Sequence, residues 1–313
     1  MRIVIALGGN ALLRRGQVMS ACNQQQNMQR AAAALARVCG QHQVAIVHGN
    51  GPQIGLLALT SEAYSAVPAY PLDVLGAESQ GMIGYVIAQA MRNAFSELAS
   101  DQSANWLARA ESGVACLLTQ TIVDPNDVAF RLPSKPIGPV YPADQAAQLR
   151  ARGWQVANDG AGIRRVVASP SPLEFVEFAQ IEGLFNAGTV AVCLGGGGIP
   201  VQRTAGGTLA GVEAVIDKDH AASLLAILLK ADRLLILTDV DAVYLDWGTK
   251  AQQIVRRIPA EALSKHDFAA GSMGPKVAAV CAFVSATGKP AAIGALGQAE
   301  SVFSGSNGTQ VVA

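Results

Sequence analysis

Three apolar runs in this chain pass directly into glycine. Residues 2–7 lead into Gly8-Gly9, residues 44–47 into His48-Gly49-Asn50-Gly51, and residues 189–194 into Gly195-Gly196-Gly197-Gly198. Each run is short, rich in Val, Ile and Leu, and bounded by turn residues, which predicts a buried strand. Similar runs at 114–118 and 291–293, and at 233–237 before Thr238-Asp239, predict further strands. Between them lie helical spacings. Residues 24–38 put Met28, Ala31, Ala32 and Leu35 on one side, and residues 54–64 and 75–95 read as two more helices. Strand and helix alternating in this way predict an α/β fold, a mostly parallel sheet covered on both faces.

Residues 124–172 break the rhythm. Pro125, Pro133, Pro136, Pro139 and Pro142 crowd into this segment, which reads as an excursion from the core and a small mobile subdomain. At 313 residues the chain is long enough for two lobes, and the Gly and Thr cluster at 206–211 marks a boundary between them. Charged residues make up 15% of the chain, below the ~25% usual for soluble domains, so much surface is expected to be buried, some of it between subunits.

Lys plus Arg and Asp plus Glu are both 23. A balanced chain has no global field to hold nucleic acid or an anionic membrane, so any anion site must be local. The five cysteines are dispersed and contain no CxxC pair, which excludes a zinc ribbon or disulfide framework and fits a reducing compartment. No apolar run approaches the ~18 residues of a membrane span, and the N-terminal run is too short for a signal peptide. A cytoplasmic protein is expected.

In an open parallel sheet, ligands bind beyond the carboxyl ends of the strands. Glycine amides there can form an anion nest, reinforced by the positive end of a following helix. The three turns are thus either an anion site or simply tight turns. The P-loop, the GxGxxG fingerprint and the protein-kinase motifs are absent from the sequence. Lys218, between Asp217 and Asp219, falls at a strand-to-helix junction, and Lys276 at the start of a helix; Lys135 lies in the excursion. A helix start disfavours a cation unless an anion offsets it. Phosphoryl transfer between anions needs such cations. Lys218 could equally form an ordinary ion pair with Asp217 or Asp219, and Lys276 could be a surface charge. Asp219 either orients the two lysines or caps the helix. His48 reads as a hydrogen-bonded core residue rather than a base, and the four histidines show no metal-ligand spacing.

The segments ALGGNALL (6–13), HGNGPQIG (48–55), SQGMIGY (79–85), SKPIGPVY (134–141), RRVVASP (164–170), GGGGIPV (195–201), GVEAVIDKD (211–219), LTDVDAVY (237–244) and GSMGPKV (271–277) together resemble the carbamate kinases of the amino-acid kinase superfamily. The resemblance implies a three-layer αβα sandwich with a small protruding subdomain, and a homodimer. It implies an acceptor lobe over 1–210, including the protrusion near 124–172, and a nucleotide lobe over 211–313. The implied reaction is reversible phosphoryl transfer between ATP and carbamate, with Mg²⁺ carried mainly on the phosphates of ATP or ADP. Gly8, Gly9, Asn10, Asn50, Gly51, Gly196 and Gly197 would surround the acceptor. Lys218 and Lys276, held by Asp219, would stabilise the phosphoryl group. Lys135 would enter from the excursion and exclude water. Thr238, Asp239, Tyr244 and Met273, with Lys276, would line the nucleotide side. Three places depart from the family pattern: Gly160-Ala161-Gly162-Ile163, Gly248-Thr249-Lys250, and Leu194, which stands where the family commonly has a small polar residue before the glycine run. A related kinase with a different small carboxylate acceptor, or a non-catalytic sensor of nucleotide or carbamoyl phosphate, are the alternatives. The sensor predicts a lost lysine, and all three lysines are present.

Overall fold

The structure, a computed structural model, describes residues 1–9, 12–13, 16–99, 113–160, 162–269 and 271–313. Among them an eight-stranded sheet forms the centre. Its strands are β1 (Arg2–Leu7), β2 (Gln43–His48), β3 (Val114–Cys116), β4 (Val190–Cys193), β5 (Arg233–Thr238), β6 (Arg257–Pro259), β7 (Ala291–Ala295) and β8 (Thr309–Val312). Their spatial order is β6-β8-β7-β5-β1-β2-β4-β3. From β7 to β3 every pairing is parallel, and β8 runs antiparallel to β7 at one edge.

Alternation along each strand splits the core in two, because successive side chains point to opposite faces. Val4 and Ala6 of β1, with Leu234 and Ile236 of β5, face helices α4 (Phe178–Asn186), α5 (Lys218–Leu228) and α6 (Met273–Thr287). Ile3, Ile5 and Leu7, with Leu235 and Leu237, face α1 (Ala21–Gln41) and α3 (Leu72–Ala99). The result is a three-layer αβα sandwich. α1 is longer than the helix predicted over 24–38, because Ser20 caps it by accepting from the Asn23 amide at 3.2 Å. Between α1 and α3, helix α2 (Gly51–Ala63) begins three residues earlier than its apolar pattern shows. Pro52 stands in its first turn, where a missing N–H does no harm. α3 likewise begins early, at Leu72, whose amide donates to Glu213 Oε2 at 2.8 Å.

The excursion is a folded unit. The chain leaves through Gln120–Ile122 and returns through Glu174–Phe175, which pair antiparallel. Between these stems, Lys135–Tyr141, Gly162–Val167 and Gln155–Asp159 form a separate three-stranded sheet. Its small core gathers Leu149, Trp154 and Ile163, and the guanidinium groups of Arg152 and Arg165 each lie 4.8 Å from the Trp154 ring centroid. This subdomain docks on α2. Ile54 and Ala58 pack with Ile137 and Val167, and a methyl group on Gly55 would overlap the Gly138 backbone.

Candidate active site

Strands β5, β1, β2 and β4 are consecutive in the sheet and parallel. Their carboxyl ends therefore deliver Thr238, Gly8-Gly9, Gly49-Asn50-Gly51 and the 195–198 turn to one edge. The backbone joins these turns directly. Gly8 N–H donates to Leu237 O at 2.7 Å, and Gly49 N–H donates to Leu7 O at 3.1 Å. A Cβ on Gly8 would sit 3.3 Å from Thr238 Oγ1. The turn after β4 is strongly left-handed, with φ of 65° at Gly196 and 93° at Gly197, where side chains are strained. Space excludes side chains as well: a Cβ on Gly196 would overlap the Asn50 carboxamide, and one on Gly197 would come within 2.8 Å of Ile216. The turn is thus seated between the glycine turn after β2 and the segment leading into α5.

Into this edge comes the charge. Asp217 caps α5, accepting from the amides of Asp219 at 2.8 Å and His220 at 3.4 Å. That leaves Asp219 free for the lysines, which decides between the two roles its sequence position allowed. Lys218 Nζ donates to both Asp219 oxygens at 2.9 Å, and Lys276 Nζ donates to Asp219 Oδ2 at 3.2 Å. Asp219 is 1% exposed and Lys218 9%, so this is a desolvated cluster rather than a surface pair. The Lys218 stem passes beside Gly49, where a Cβ would lie 3.1 Å from its Cδ. Lys135, the first residue of its strand in the excursion, reaches across to pair with Asp217. Three ammonium groups and two carboxylates therefore meet beside the glycine turns, leaving one net positive charge for an anion.

The electrostatics follow from this crowding. Burial alone would push Asp219 up, but Lys218 and Lys276 hold it below the usual carboxylate range. Asp217, also raised by burial, is brought well below that range by Lys135 and Lys218. Burial would lower Lys218, yet Asp219 and Asp217 keep it above the ordinary lysine value. Lys276 is lowered, first by burial and then by Lys218, with Asp219 opposing. His48 is pushed down to about 4, chiefly by burial. Its Nδ1 lies 3.2 Å from Gly49 O, and a Cβ on Gly195 would run into its ring. It is a neutral wall residue behind the turns.

Polar side chains on α3 hold the turns from behind. Asn50 Nδ2 donates to Ser79 Oγ at 2.8 Å, and Ser79 Oγ donates to Gly76 O at 2.7 Å. Gln80 Nε2 donates to Gly195 O at 3.0 Å and Thr119 O at 3.1 Å, while its Oε1 accepts from the Thr119 amide at 2.9 Å. Thr121 Oγ1 donates to Gly197 O at 2.9 Å. Ser79 and Gln80 lie in the quoted SQGMIGY segment, but nothing in their local pattern shows that they brace two separate turns.

Thr238 is buried at the end of β5 and donates to Asp239 Oδ1 at 3.1 Å. Tyr244 stands on the hairpin that follows, its hydroxyl donating to Asp241 Oδ1 at 2.9 Å and its ring 5.1 Å from that of Trp247. Met273 opens α6, one turn before Lys276. Asn10 lies outside the described residues, as does Ala161 in the departing Gly160–Ile163 stretch. Among the described residues no group of three or more His, Cys, Asp or Glu side chains is arranged to hold a metal ion. The two buried carboxylates already face ammonium groups. No helix among them is long and apolar enough to cross a membrane.

Comparison with known proteins gives a concordant picture. The model of the amino acid kinase family matches residues 1–295. The carbamate kinase of Haemophilus influenzae is 48% identical over 312 residues, covering 99% of this chain and 96% of that protein. The structure of a carbamate kinase from Giardia lamblia bound to citric acid superposes with a TM-score of 0.89 at 39% identity, covering 99% of this chain and 97% of that one. The same enzyme bound to AMP-PNP gives a TM-score of 0.86, also at 39% identity, covering 99% and 98%.

Proposed function

From the premise that the chain belongs to the amino acid kinase family, we propose that its edge of glycine turns and lysines transfers a phosphoryl group between ATP and carbamate. The activity is that of a carbamate kinase: ATP and carbamate give ADP and carbamoyl phosphate, and in the reverse direction the acyl phosphate yields ATP. The observation that carries the reading is the Lys218–Asp219–Lys276 cluster set beside three glycine turns.

Each group has a role in the reaction. Gly8, Gly9 and Asn10, with Asn50, Gly51, Gly196 and Gly197, are the acceptor residues; the amides of Gly8 and Gly197 serve the turns themselves, bonding Leu237 O and Leu194 O, and those of Gly9, Gly51 and Gly196 are offered to the oxygens of the phosphoryl group in passage. Carbamate already carries an oxygen anion, so no general base is needed, in keeping with the neutral His48. Lys218 and Lys276 meet the equatorial oxygens, where charge is spread in the transition state. Asp219 fixes both ammonium groups in advance, so little reorganisation is required at the moment of transfer. Lys135 moves from Asp217 to the phosphoryl group when substrate arrives, and the excursion docked on α2 excludes water as a cover. Thr238, Asp239, Tyr244 and Met273 line the nucleotide side. Mg²⁺ would be carried on the nucleotide phosphates, where it would neutralise part of their charge, with no protein side chain assigned to hold it.

The acceptor lobe spans 1–210 and the nucleotide lobe 211–313, with the transfer point where β1 and β5 lie side by side. The protein works in the cytoplasm as a homodimer. An exposed stripe on α3 supports this: Val74 is 39% exposed, Met82 36% and Tyr85 58%, spaced to share one face of the helix.

The test is direct. Purified protein supplied with carbamoyl phosphate, ADP and Mg²⁺ is expected to form ATP, whereas a non-catalytic sensor would bind the same ligands and form none. A kinase with another acceptor would form acyl phosphate from ATP with a different carboxylate and leave carbamate unused.

A further inference from the structure

Glycine lets a turn approach an anion closely, and it also leaves that turn free to swing away. The Gly8-Gly9 turn therefore needs tethers. On the sheet side Gly8 N–H donates to Leu237 O. On the far side Gly9 O accepts from the amides of Leu12 and Leu13, both at 3.1 Å, so the chain folds back on itself there. The Leu12 side chain is buried in the core shared with α1 and α3. An apolar anchor of this kind holds a residue in place without fixing the direction of its peptide groups.

Asn27 supplies the missing direction. It is buried on α1, and its Nδ2 donates to Leu12 O at 3.1 Å and to Gln17 Oε1 at 2.6 Å. A carboxamide nitrogen carries two N–H groups, one for each of these acceptors. Asn23, one helical turn earlier, donates to Val18 O at 2.7 Å. Residues four apart share a helix face, so one face of α1 grips the chain at residues 12, 17 and 18. Asparagine is a weak helix former, and two of them in the opening turns of α1 suit a tether better than a helix start. The turn held in this way lies beside the lysines. A Cβ on Gly49 would be 3.1 Å from Lys218 Cδ and 3.6 Å from Gly9 N, so the Gly9 amide and the Lys218 stem flank the same point.

We propose that Asn27 is a positioning residue for phosphoryl transfer, a proposal that rests on the function given above. It acts through the turn and not on the substrate. By holding Leu12 O it fixes the fold-back onto Gly9 O, and so keeps the Gly9 amide aimed beside Lys218, where the phosphoryl oxygens pass. Electrostatic stabilisation of a transition state depends on donors set in place beforehand. A turn of two glycines cannot set its own, and the carboxamide of Asn27 does this from the neighbouring helix.

The experiment compares Asn27→Ala with Ala31→Gly, one turn further along α1, which weakens the same helix without touching residues 12–17. ATP formation from carbamoyl phosphate and ADP is measured well below both melting temperatures, together with hydrogen exchange at the Leu12 and Leu13 amides. Asn27→Ala is expected to lower kcat about tenfold or more, to leave KM for ADP little changed and to speed exchange at both amides. Ala31→Gly is expected to lower the melting temperature while kcat and the two exchange rates stay near those of the wild type. Asn27→Leu, which keeps the volume and loses both donors, is read in the same way if the alanine variant does not fold. A normal kcat in the folded Asn27 variant, or equal losses of kcat in the Asn27 and Ala31 variants, overturns the proposal alone and leaves Asn27 a structural residue of α1. A wild type that forms no ATP from carbamoyl phosphate overturns the underlying function and this proposal with it.

Discussion

Both carboxylate oxygens of Asp219 lie 2.9 Å from the ammonium nitrogen of Lys218. The two residues are adjacent in sequence, and both are buried. A charge taken out of water in this way costs several kcal/mol unless it is met by an opposite one. The pair, with Lys276 as its third member, therefore fixes buried cationic charge beside the glycine turns.

Removing Asp219 leaves two buried ammonium groups facing each other. Asp219→Ala is expected to destabilise the free protein by about 3–5 kcal/mol. Inorganic phosphate should recover part of that loss by binding only the folded state. Urea titrations with and without phosphate check both effects. A loss that phosphate does not relieve would place the defect in packing.

The excursion depends on close backbone contact. A Cβ on Gly55 has no room against Gly138, so Gly55→Ala should lift the three-stranded subdomain off α2 while the central sheet stays folded. The expected signature is faster proteolysis within 124–172 and a steep loss of turnover. Lys135→Met leaves the docking surface intact and should lose turnover without the change in proteolysis. If both variants behave alike in the protease assay, Lys135 acts mainly as a structural tether.

His48 gives the protein a pH dependence of its own. The unfolded ring takes up a proton as pH falls through 6.5, whereas the folded ring does so only near about 4. Stability should therefore fall across this window as the solution is acidified, by ~3 kcal/mol in all. The depressed carboxylates of Asp217 and Asp219 act in the same direction at lower pH: their contribution is present above the unfolded carboxylate value and is lost as pH drops below it. Urea midpoints at pH 7.5 and 4.5 should differ less in His48→Asn than in the wild type. An equal difference would assign the pH dependence to other groups.

Much of this arrangement is visible in the residues themselves. The runs at β1, β2, β4 and β5 are apolar at successive positions because both faces of the sheet are covered, and their glycines mark where the chain must turn tightly. Lys218 and Lys276 stand out because a cation at a helix start needs an anion. What escapes is long-range. The start of α3 depends on Glu213, far along the chain. Asp217 and Asp219 are locally equivalent, and only the fold makes one the cap and the other the clamp on two lysines. Gln80 binds Thr119 and Gly195, neither of which is near it in sequence. β6 and β8 have three and four residues, too short for a periodic pattern; β8 forms because β7 offers an edge to pair with, and β6 pairs in turn with β8.

Phosphoryl transfer at this edge requires that Lys276, held 3.2 Å from Asp219 Oδ2, act on the phosphoryl group. The deciding measurement is ATP formation from carbamoyl phosphate, ADP and Mg²⁺ by the wild type and by Lys276→Ala, with circular dichroism confirming that both are folded. Loss of one charge-stabilising donor should lower kcat by about 10²–10³ with the fold unchanged. Turnover near the wild-type rate in a folded Lys276→Ala protein would contradict the mechanism.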